Sequence, residues 1–301
     1  MNVTVVIPTL NEEKGIGGVV ESFKNLGFDV LVIDGNSKDR TREIAEKRGA
    51  KVVLQTGKGK GNAIAEAFKL VDSDIVVLID GDGSYPAEEV WKLIEPIEKG
   101  VADHVVGSRF AKYERGAFTK LNLLGNKLIN LFFRFAYGVD LTDILSGYRA
   151  IKKEVYKSIE IRKSGFEVEA ELTVETLAKG FRIVEVPIGY KKREGKTKLR
   201  PIRDGIRIGK TIYELIGRYS PARYLYIFGL IFLFLGIATG GYVVYAWLNA
   251  VSHYMLALLT VLFIVTGVQF IVIGLIADLI FRATVEFRRE VRQIFRRKGD
   301  E

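Results

Sequence analysis

Asp80-Gly81-Asp82 sets two carboxylates one residue apart, directly after the apolar run Ile75-Val76-Val77-Leu78-Ile79. A run of that length and content reads as a buried strand. In an open α/β sheet, ligands bind beyond the carboxyl ends of the strands. On a continuing strand, positions 80 and 82 share a face. Hard oxygen ligands so placed suit a divalent ion that also holds a substrate diphosphate. A solvated Asp-Gly turn has the same composition, so the reading depends on what stands at the other strand ends.

Two further apolar runs end in polar corners. Asn2-Val3-Thr4-Val5-Val6-Ile7-Pro8 reads as a first strand running into Thr9 to Glu12. Asp29-Val30-Leu31-Val32-Ile33-Asp34 reads as a second, followed by polar residues up to Asp39. Between them, Glu12 to Leu26 has a helical pattern, as do 40–48, 61–70 and 87–99; Lys51-Val52-Val53-Leu54 and Val105-Val106-Gly107-Ser108-Arg109 read as strands. Strands alternating with helices specify a mostly parallel sheet with crossover helices. Acidic residues after such strands commonly contact a ribose or a base edge. The loop Gly57-Lys58-Gly59-Lys60-Gly61-Asn62 lacks the final Lys-Ser/Thr of a P-loop. It reads either as a turn with solvated lysines or as a phosphate contact through backbone N–H groups and Lys60.

The chain has no cysteine, which removes disulfides and thiolate chemistry, and its two histidines, His104 and His253, form no zinc-hydrolase pattern. No GxGxxG follows the first strand, which argues against a nicotinamide enzyme. The formal charge of +9 is not gathered into one long tract, so nucleic acid is not the expected partner. The basic residues cluster instead beside apolar segments near the C-terminus, as they do at a membrane surface. No charged residue occurs from Tyr224 to Ala277. At about 20 residues per span, that stretch holds two transmembrane helices. A turn near Trp247 to Tyr254 separates them and carries no Lys or Arg, whereas Arg218, Arg223, Arg282, Arg288 and Arg289 flank the pair. The positive-inside rule then puts both termini in the cytoplasm. Ile208, Ile212, Leu215, Ile216 and Tyr219 share one helical face, the pattern of a helix lying in the headgroup layer. Leu121 to Tyr137 reads equally as a core helix or as another interfacial one. The chain thus divides into a catalytic domain (1–200), a juxtamembrane amphipathic helix (201–222), two spans (223–281) and a basic tail (282–301).

Taken together, Val6-Ile7-Pro8-Thr9-Leu10-Asn11-Glu12-Glu13, Ile33-Asp34-Gly35-Asn36-Ser37-Lys38-Asp39, Asp80-Gly81-Asp82 and Gly107-Ser108-Arg109 resemble the family 2 glycosyltransferases of the GT-A fold. Ser146-Gly147-Tyr148-Arg149, Phe166 to Glu171 and Gly195-Lys196-Thr197-Lys198-Leu199 narrow the resemblance to the polyprenyl-phosphate branch, the dolichyl-phosphate mannose or glucose synthases of archaeal type. The resemblance implies that Pro8, Leu10 and Glu12 border the nucleotide, that Val32 and Asp34 meet the base, and that Asp80 and Gly81 meet the ribose and diphosphate. It implies Mg²⁺ or Mn²⁺ on Asp82 and Asp80, with Ser84 where the mannose synthases have glutamine. Arg109 would contact phosphate or the donor sugar, Ser146 and Arg149 the acceptor phosphate, and Lys192 and Lys198 would lie in a loop closing over the donor.

The implied partners are a nucleotide-diphosphate sugar, a polyprenyl or dolichyl phosphate and the bilayer; a homo-oligomer is left open. A phosphate monoester has its second pKa near 6, so it is already largely an anion at neutral pH and needs little help from a general base. It needs its repulsion from the donor diphosphate neutralised, and a metal with Arg109, Arg149 and Lys198 would do so. The expected reaction is a single inverting displacement. Two alternatives are a processive polysaccharide synthase, whose Gln-x-x-Arg-Trp signature is missing here, and a non-catalytic membrane scaffold, which has no need of the intact acids.

Overall fold

The computed structural model describes residues 1–192, 201–219 and 222–299. They form two compact units, Met1–Ile212 and Tyr213–Glu301.

The first unit is an α/β sheet of seven strands among the described residues. In chain order these are β1 (Val3–Thr9), β2 (Asp29–Asp34), β3 (Lys51–Leu54), β4 (Ile75–Leu78), β5 (His104–Tyr113), β6 (Arg149–Lys152) and β7 (Ile183–Tyr190). Their spatial order is β3-β2-β1-β4-β6-β5-β7. Neighbours run parallel except for β6, which lies antiparallel between β4 and β5. The central strands β1, β2 and β4 are mostly apolar and buried because both faces of the sheet are covered there. Alternation sorts them. Val5, Ile7, Val32, Val77 and Ile79 enter one core beneath α1 (Ile16–Asn25) and α4 (Val90–Glu98). Val6, Leu31, Ile33, Val76 and Leu78 enter the other, with α3 (Lys60–Leu70), α6 (Lys153–Tyr156) and α7 (Val168–Ala178). The remaining helix of this half, α2 (Thr41–Lys47), carries the chain from β2 to β3.

Register determines what meets at the sheet edge. Thr9 pairs with Asp34, and Asp34 with Leu54, so the first three strands end level. Val6 pairs with Leu78, which brings Asp80 level with Pro8. The antiparallel pairing of Leu78 with Arg149 then sets Gly147 beside Asp80. A Cβ on Gly147 would stand 2.7 Å from Asp80 Oδ2, so any side chain there would push that carboxylate aside.

Helix α5 (Lys120–Tyr137) joins β5 to the corner before β6. The Thr119 hydroxyl caps it by accepting from Asn122 N, and Gly138, at φ 68°, ends it in the left-handed conformation. The exposure of this helix is at odds with the core-helix reading of the segment. Phe133 is buried, while Leu121, Leu124, Leu128, Leu131 and Phe135 are each more than half exposed. Helix α8 (Pro201–Tyr219) differs from expectation at two positions. Ile208 and Ile212, assigned to the headgroup layer, are buried in protein, and the Tyr137 hydroxyl donates to Ile212 O.

In the second unit, α9 (Ala222–Leu248) and α10 (Tyr254–Gly299) form an antiparallel hairpin. Ala222–Leu248 and Tyr254–Phe281 each contain an 18-residue stretch of mean hydropathy 2.2 and 2.6 in which 11% of residues are buried, and both are long and apolar enough to cross a membrane. Small residues bring the backbones together. A Cβ on Gly229 would lie 2.6 Å from Ile271, and one on Gly267 would lie 2.8 Å from Leu233. Between the helices, the Thr260 hydroxyl donates to Thr239 at 3.0 Å.

Candidate active site

Beyond the strand ends lies a cavity of about 560 Å³. Pro8 enters it from the end of β1, Leu10 and Glu12 from the loop that follows, and Gly35 and Asn36 from the loop after β2. Gln55, Lys58 and Lys60 follow from the β3–α3 loop, then Asp80, Gly81 and Asp82 from the end of β4. Gly165, Phe166 and the start of α8 (Arg203, Asp204 and Arg207) complete the wall. The first two loops are stitched to each other. Asn11 at φ 51° and Asn36 at φ 65° turn left-handed, a conformation asparagine tolerates. Asn11 N donates to Ser37 Oγ at 2.8 Å, and Lys38 N donates to Asn11 Oδ1 at 2.7 Å.

Asp34 and Val32 were expected at the base, and the structure gives both other work. Val32 is fully buried in the core. Asp34 is equally buried, and its carboxylate accepts from Ser37 N at 2.8 Å and Ser37 Oγ at 2.5 Å, with Arg42 Nε 3.7 Å away. It builds the loop that presents Gly35 and Asn36. These two residues and Gln55 line this end of the cavity.

Lys60 is buried between two acids, with Nζ 2.5 Å from Asp80 Oδ1 and 2.6 Å from Glu169 Oε1. Burial works against its ammonium, but the two carboxylates outweigh that and raise its pKa. Burial raises the Glu169 pKa as well, against the pull of Lys60. The other Glu169 oxygen, Oε2, is buried without a hydrogen-bond partner. The loop's glycines serve close approach, since a Cβ on Gly61 would stand 1.8 Å from Lys163 O and the Gly61 N–H already donates to Ser164 O. That N–H is therefore committed within the protein, and Lys60 is a partner of Asp80 before it is one of any phosphate.

Asp80 and Asp82 open into the same cavity. Among the described residues, no three His, Cys, Asp or Glu side chains converge into a ready-made metal cage. Two carboxylates nevertheless fit an ion such as Mg²⁺, which commonly takes one or two of them and completes its shell from substrate phosphates and water. Ser84, expected as a third ligand, is fully buried and donates its hydroxyl to Asp82 Oδ1 at 2.6 Å. It orients that carboxylate.

Arg109, Ser146 and Arg149 lie outside the cavity wall. Arg109 makes a two-pronged pair with Asp143, through Nε and Nη2, each at 2.7 Å. The rings of Phe118 and Tyr190 flank its guanidinium at 5.5 and 5.4 Å. Burial alone would lower the Arg109 pKa, but Asp143 carries it upward. Arg149, expected at the acceptor phosphate, is fully buried and bonded to Ser146 O, Ile144 O, Thr173 Oγ1 and His104 Nε2. Burial pulls its pKa down to about 10. Ser146 is buried beside it, its hydroxyl facing Tyr148 N at 3.4 Å. Both hold the corner that carries Asp143. Lys192 is exposed, with its backbone N–H on Glu114, and Lys198 lies outside the described residues. The sequence reading quoted Asn36 and Glu169 within motifs but gave no site role to them, to Gln55 or to the Arg203–Arg207 pair. For the last, the spacing of two arginines one helical turn apart was a usable signal.

Residues 4–160 match the family model described as Glycosyl transferase family 2. The chain is 38% identical over 297 residues to Glycosyltransferase AglJ of Haloferax volcanii, covering 97% of this chain and 98% of that protein. It is 37% identical over 219 residues to a dolichyl-phosphate hexose transferase of the same organism (71% and 93% covered). With the dolichol-phosphate mannosyltransferase of Pyrococcus furiosus the figures are 31% over 234 residues (72% and 62%). Among solved structures, glucosyl-3-phosphoglycerate synthase from Mycobacterium tuberculosis in complex with Mn²⁺, UDP-glucose and phosphoglyceric acid is similar at a TM-score of 0.61. That likeness covers 72% of this chain and 80% of that one, at 26% identity. The fold is GT-A, and the chain belongs to glycosyl transferase family 2. It is a glycosyltransferase.

Proposed function

We propose that this enzyme transfers a hexose from a UDP- or GDP-sugar to a polyprenyl (dolichyl) phosphate, with inversion, at the cytoplasmic face of the membrane. The observation that carries the proposal is the meeting of Asp80 and Asp82 with a set of unshared cations in one cavity. Arg203, Arg207 and Lys58 line it, and none of the three forms an ion pair with a described residue. Such a wall suits two phosphorylated reactants held side by side. Relatives named for dolichyl-phosphate transfer support the acceptor. The structural neighbour bound to phosphoglyceric acid supports the donor chemistry but takes a different acceptor. The two apolar helices and the exposed stripe on α5 support a site that works against lipid.

In the reaction, a phosphate oxygen of the acceptor attacks the anomeric carbon while the bond from that carbon to the diphosphate breaks. The nucleoside diphosphate leaves with the electron pair, and no proton need move. A divalent ion on Asp80 and Asp82 would neutralise charge on the departing diphosphate. Lys60 holds Asp80 in place, Ser84 orients Asp82, and Arg203 and Arg207 offset the acceptor's charge. No side chain becomes glycosylated.

Membranes containing the protein, given radiolabelled UDP- and GDP-sugars with short polyprenyl phosphates and Mg²⁺ or Mn²⁺, should yield labelled lipid on extraction. Asp82→Asn should lower the rate by about 10²–10³-fold while membrane insertion persists. Undiminished transfer by that variant, or no labelled lipid from any donor, would overturn the proposal.

A further inference from the structure

Gln55 follows β3 and is 4% exposed, yet it forms part of the cavity wall. Its backbone is tied to its neighbours: Gln55 N donates to Asp34 O at 2.9 Å, and Gln55 O accepts from Asn36 Nδ2 at 3.5 Å. Its side chain is only half used. Nε2 donates to Gly59 O at 2.8 Å. Because a carbonyl can only accept, that bond settles which end of the amide is nitrogen and which is oxygen. No described donor reaches Oε1, and that oxygen is not sealed in the interior. A fixed amide therefore leaves one acceptor open at the cavity wall.

The surroundings of that oxygen decide what it can meet. A Cβ on Gly35 would lie 3.2 Å from Gln55 Oε1, 3.2 Å from Thr9 O and 3.6 Å from Leu10 Cβ. The bare Gly35 backbone thus keeps a space open beside two oxygens. Thr9 O already accepts from Gly35 N at 2.8 Å, so Oε1 is the one that still lacks a partner. Asp34, the acid of this corner, is sealed and committed to Ser37. Gln55 and Gly35 stand just past β3 and β2, three and two strands from β4, which ends at Asp80. At about 4.8 Å per strand these separations are about 14 and 10 Å, the reach of a nucleoside diphosphate from its phosphates to its base.

We infer that Gln55 Oε1 reads the donor's nucleobase by accepting a hydrogen bond from a ring N–H beside a ring carbonyl, the group shared by uracil (N3–H) and guanine (N1–H). The inference rests on the proposed nucleotide-sugar donor and gives that donor a reader. Cytosine and adenine present a bare ring nitrogen at the same place, so lone pair would face lone pair. An acceptor held against another acceptor away from water loses its hydration for nothing. The contact therefore rejects those bases as well as holding the right one. Gly35 serves the same reading, because any side chain there would stand over Oε1.

The test is nucleotide binding by the full chain in detergent micelles with Mg²⁺ or Mn²⁺, measured by titration calorimetry. The probes are UDP, GDP, CDP, ADP, N3-methyl-UDP and N1-methyl-GDP. The wild type should bind UDP or GDP, and the one it prefers identifies the base. The ring-methylated form of that nucleotide should bind about 10–100-fold more weakly, as should CDP and ADP. Gln55→Met should bring the parent nucleotide down to the level of its methylated form without weakening the methylated form. Gly35→Ala, which keeps the Gln55–Gly59 bond but covers Oε1, should also remove the preference for the parent. Equal binding of parent and methylated nucleotide by the wild type would overturn the inference, as would a preference for CDP or ADP. So would an equal loss of both forms in Gln55→Met, the mark of a residue that only holds its loop. Discrimination here by an enzyme that transfers nothing to lipid phosphate would refute the acceptor reading alone, while binding of no nucleoside diphosphate at all would overturn the donor reading and this inference together.

Discussion

Replacing Lys60 with methionine removes the cation that Asp80 and Glu169 share. Asp80 still reaches the solvent of the cavity, its side chain being 31% exposed, but that of Glu169 is only 5% exposed. Its Oε2 has no hydrogen-bond partner, and the substitution takes the ion pair from Oε1 as well. A buried, unpaired carboxylate costs about 3–5 kcal/mol, but it relieves that cost by taking a proton. From the ordinary carboxyl pKa of 4.5 up to pH 7, holding the proton costs about 1.4 kcal/mol per pH unit, or about 3.4 kcal/mol altogether, and this is the ceiling on the deficit because burial already raises the wild-type Glu169 pKa. The folded form of the variant binds a proton that the unfolded chain releases, so its stability is highest at acid pH and declines as pH rises above 4.5. At pH 5.5 the deficit should shrink to about 1.4 kcal/mol. For a unit of this size, these losses correspond to Tm decreases of about 7–14 °C at pH 7 and about 3–6 °C at pH 5.5. Trp91, which packs against Phe28 at 5.1 Å within the α/β unit, provides the fluorescence signal. Adding Glu169→Gln, which cannot ionise, should return most of the loss at pH 7. A deficit that is the same at both pH values, or that Glu169→Gln leaves in place, would refute the buried-carboxylate account.

Two further substitutions probe the same scaffold. The Thr176 hydroxyl donates to Leu172 O, so His104 Nδ1–H donates to Thr176 and Nε2 accepts from Arg149. Burial, with Arg149 nearby, holds the imidazole pKa well below 6.5, so the unfolded chain takes up a proton that the folded chain refuses. Stability is therefore complete above pH 6.5 and should fall by about 1.4 kcal/mol per unit as pH drops below it; thermal melts of His104→Gln should lack that dependence. Gly61→Ala should destabilise the α/β unit by about 2–3 kcal/mol through forced backbone movement, visible as a lower Tm, because its Cβ would meet Lys163 O.

The strands and the acids at their ends were legible because an uninterrupted apolar run broken by Asp or Asn leaves few other readings. Pro8, Leu10, Glu12, Lys60, Asp80, Gly81 and Asp82 do meet in one cavity. Asp34 shows where the reading stopped. Its serine three residues on, Ser37, marks a carboxylate consumed by its own loop, yet strand-end position alone suggested a ligand contact. Arg149 and Ser146 sit in a motif that looks exposed and polar. Only the antiparallel insertion of β6, which no periodicity announces in four residues, shows that they face inward. The Lys60–Glu169 pair joins segments distant in sequence, with no spacing rule to connect them. The two apolar helices were plain from the lack of charge, while the burial of Ile208 and Ile212 depends on α5 packing that an amphipathic pattern leaves undetermined.

The glycines between α9 and α10 have a mechanical consequence. At 1.5 Å per residue, helices of 27 and 28 residues are each about 40 Å long, against a hydrocarbon layer of about 30 Å. Locked backbone to backbone at Gly229 and Gly267, the two rods must lean together rather than separately. Were the pair embedded in a bilayer, any thickening or thinning of the lipid would turn the hairpin as a unit, and a thicker membrane would stand it more upright.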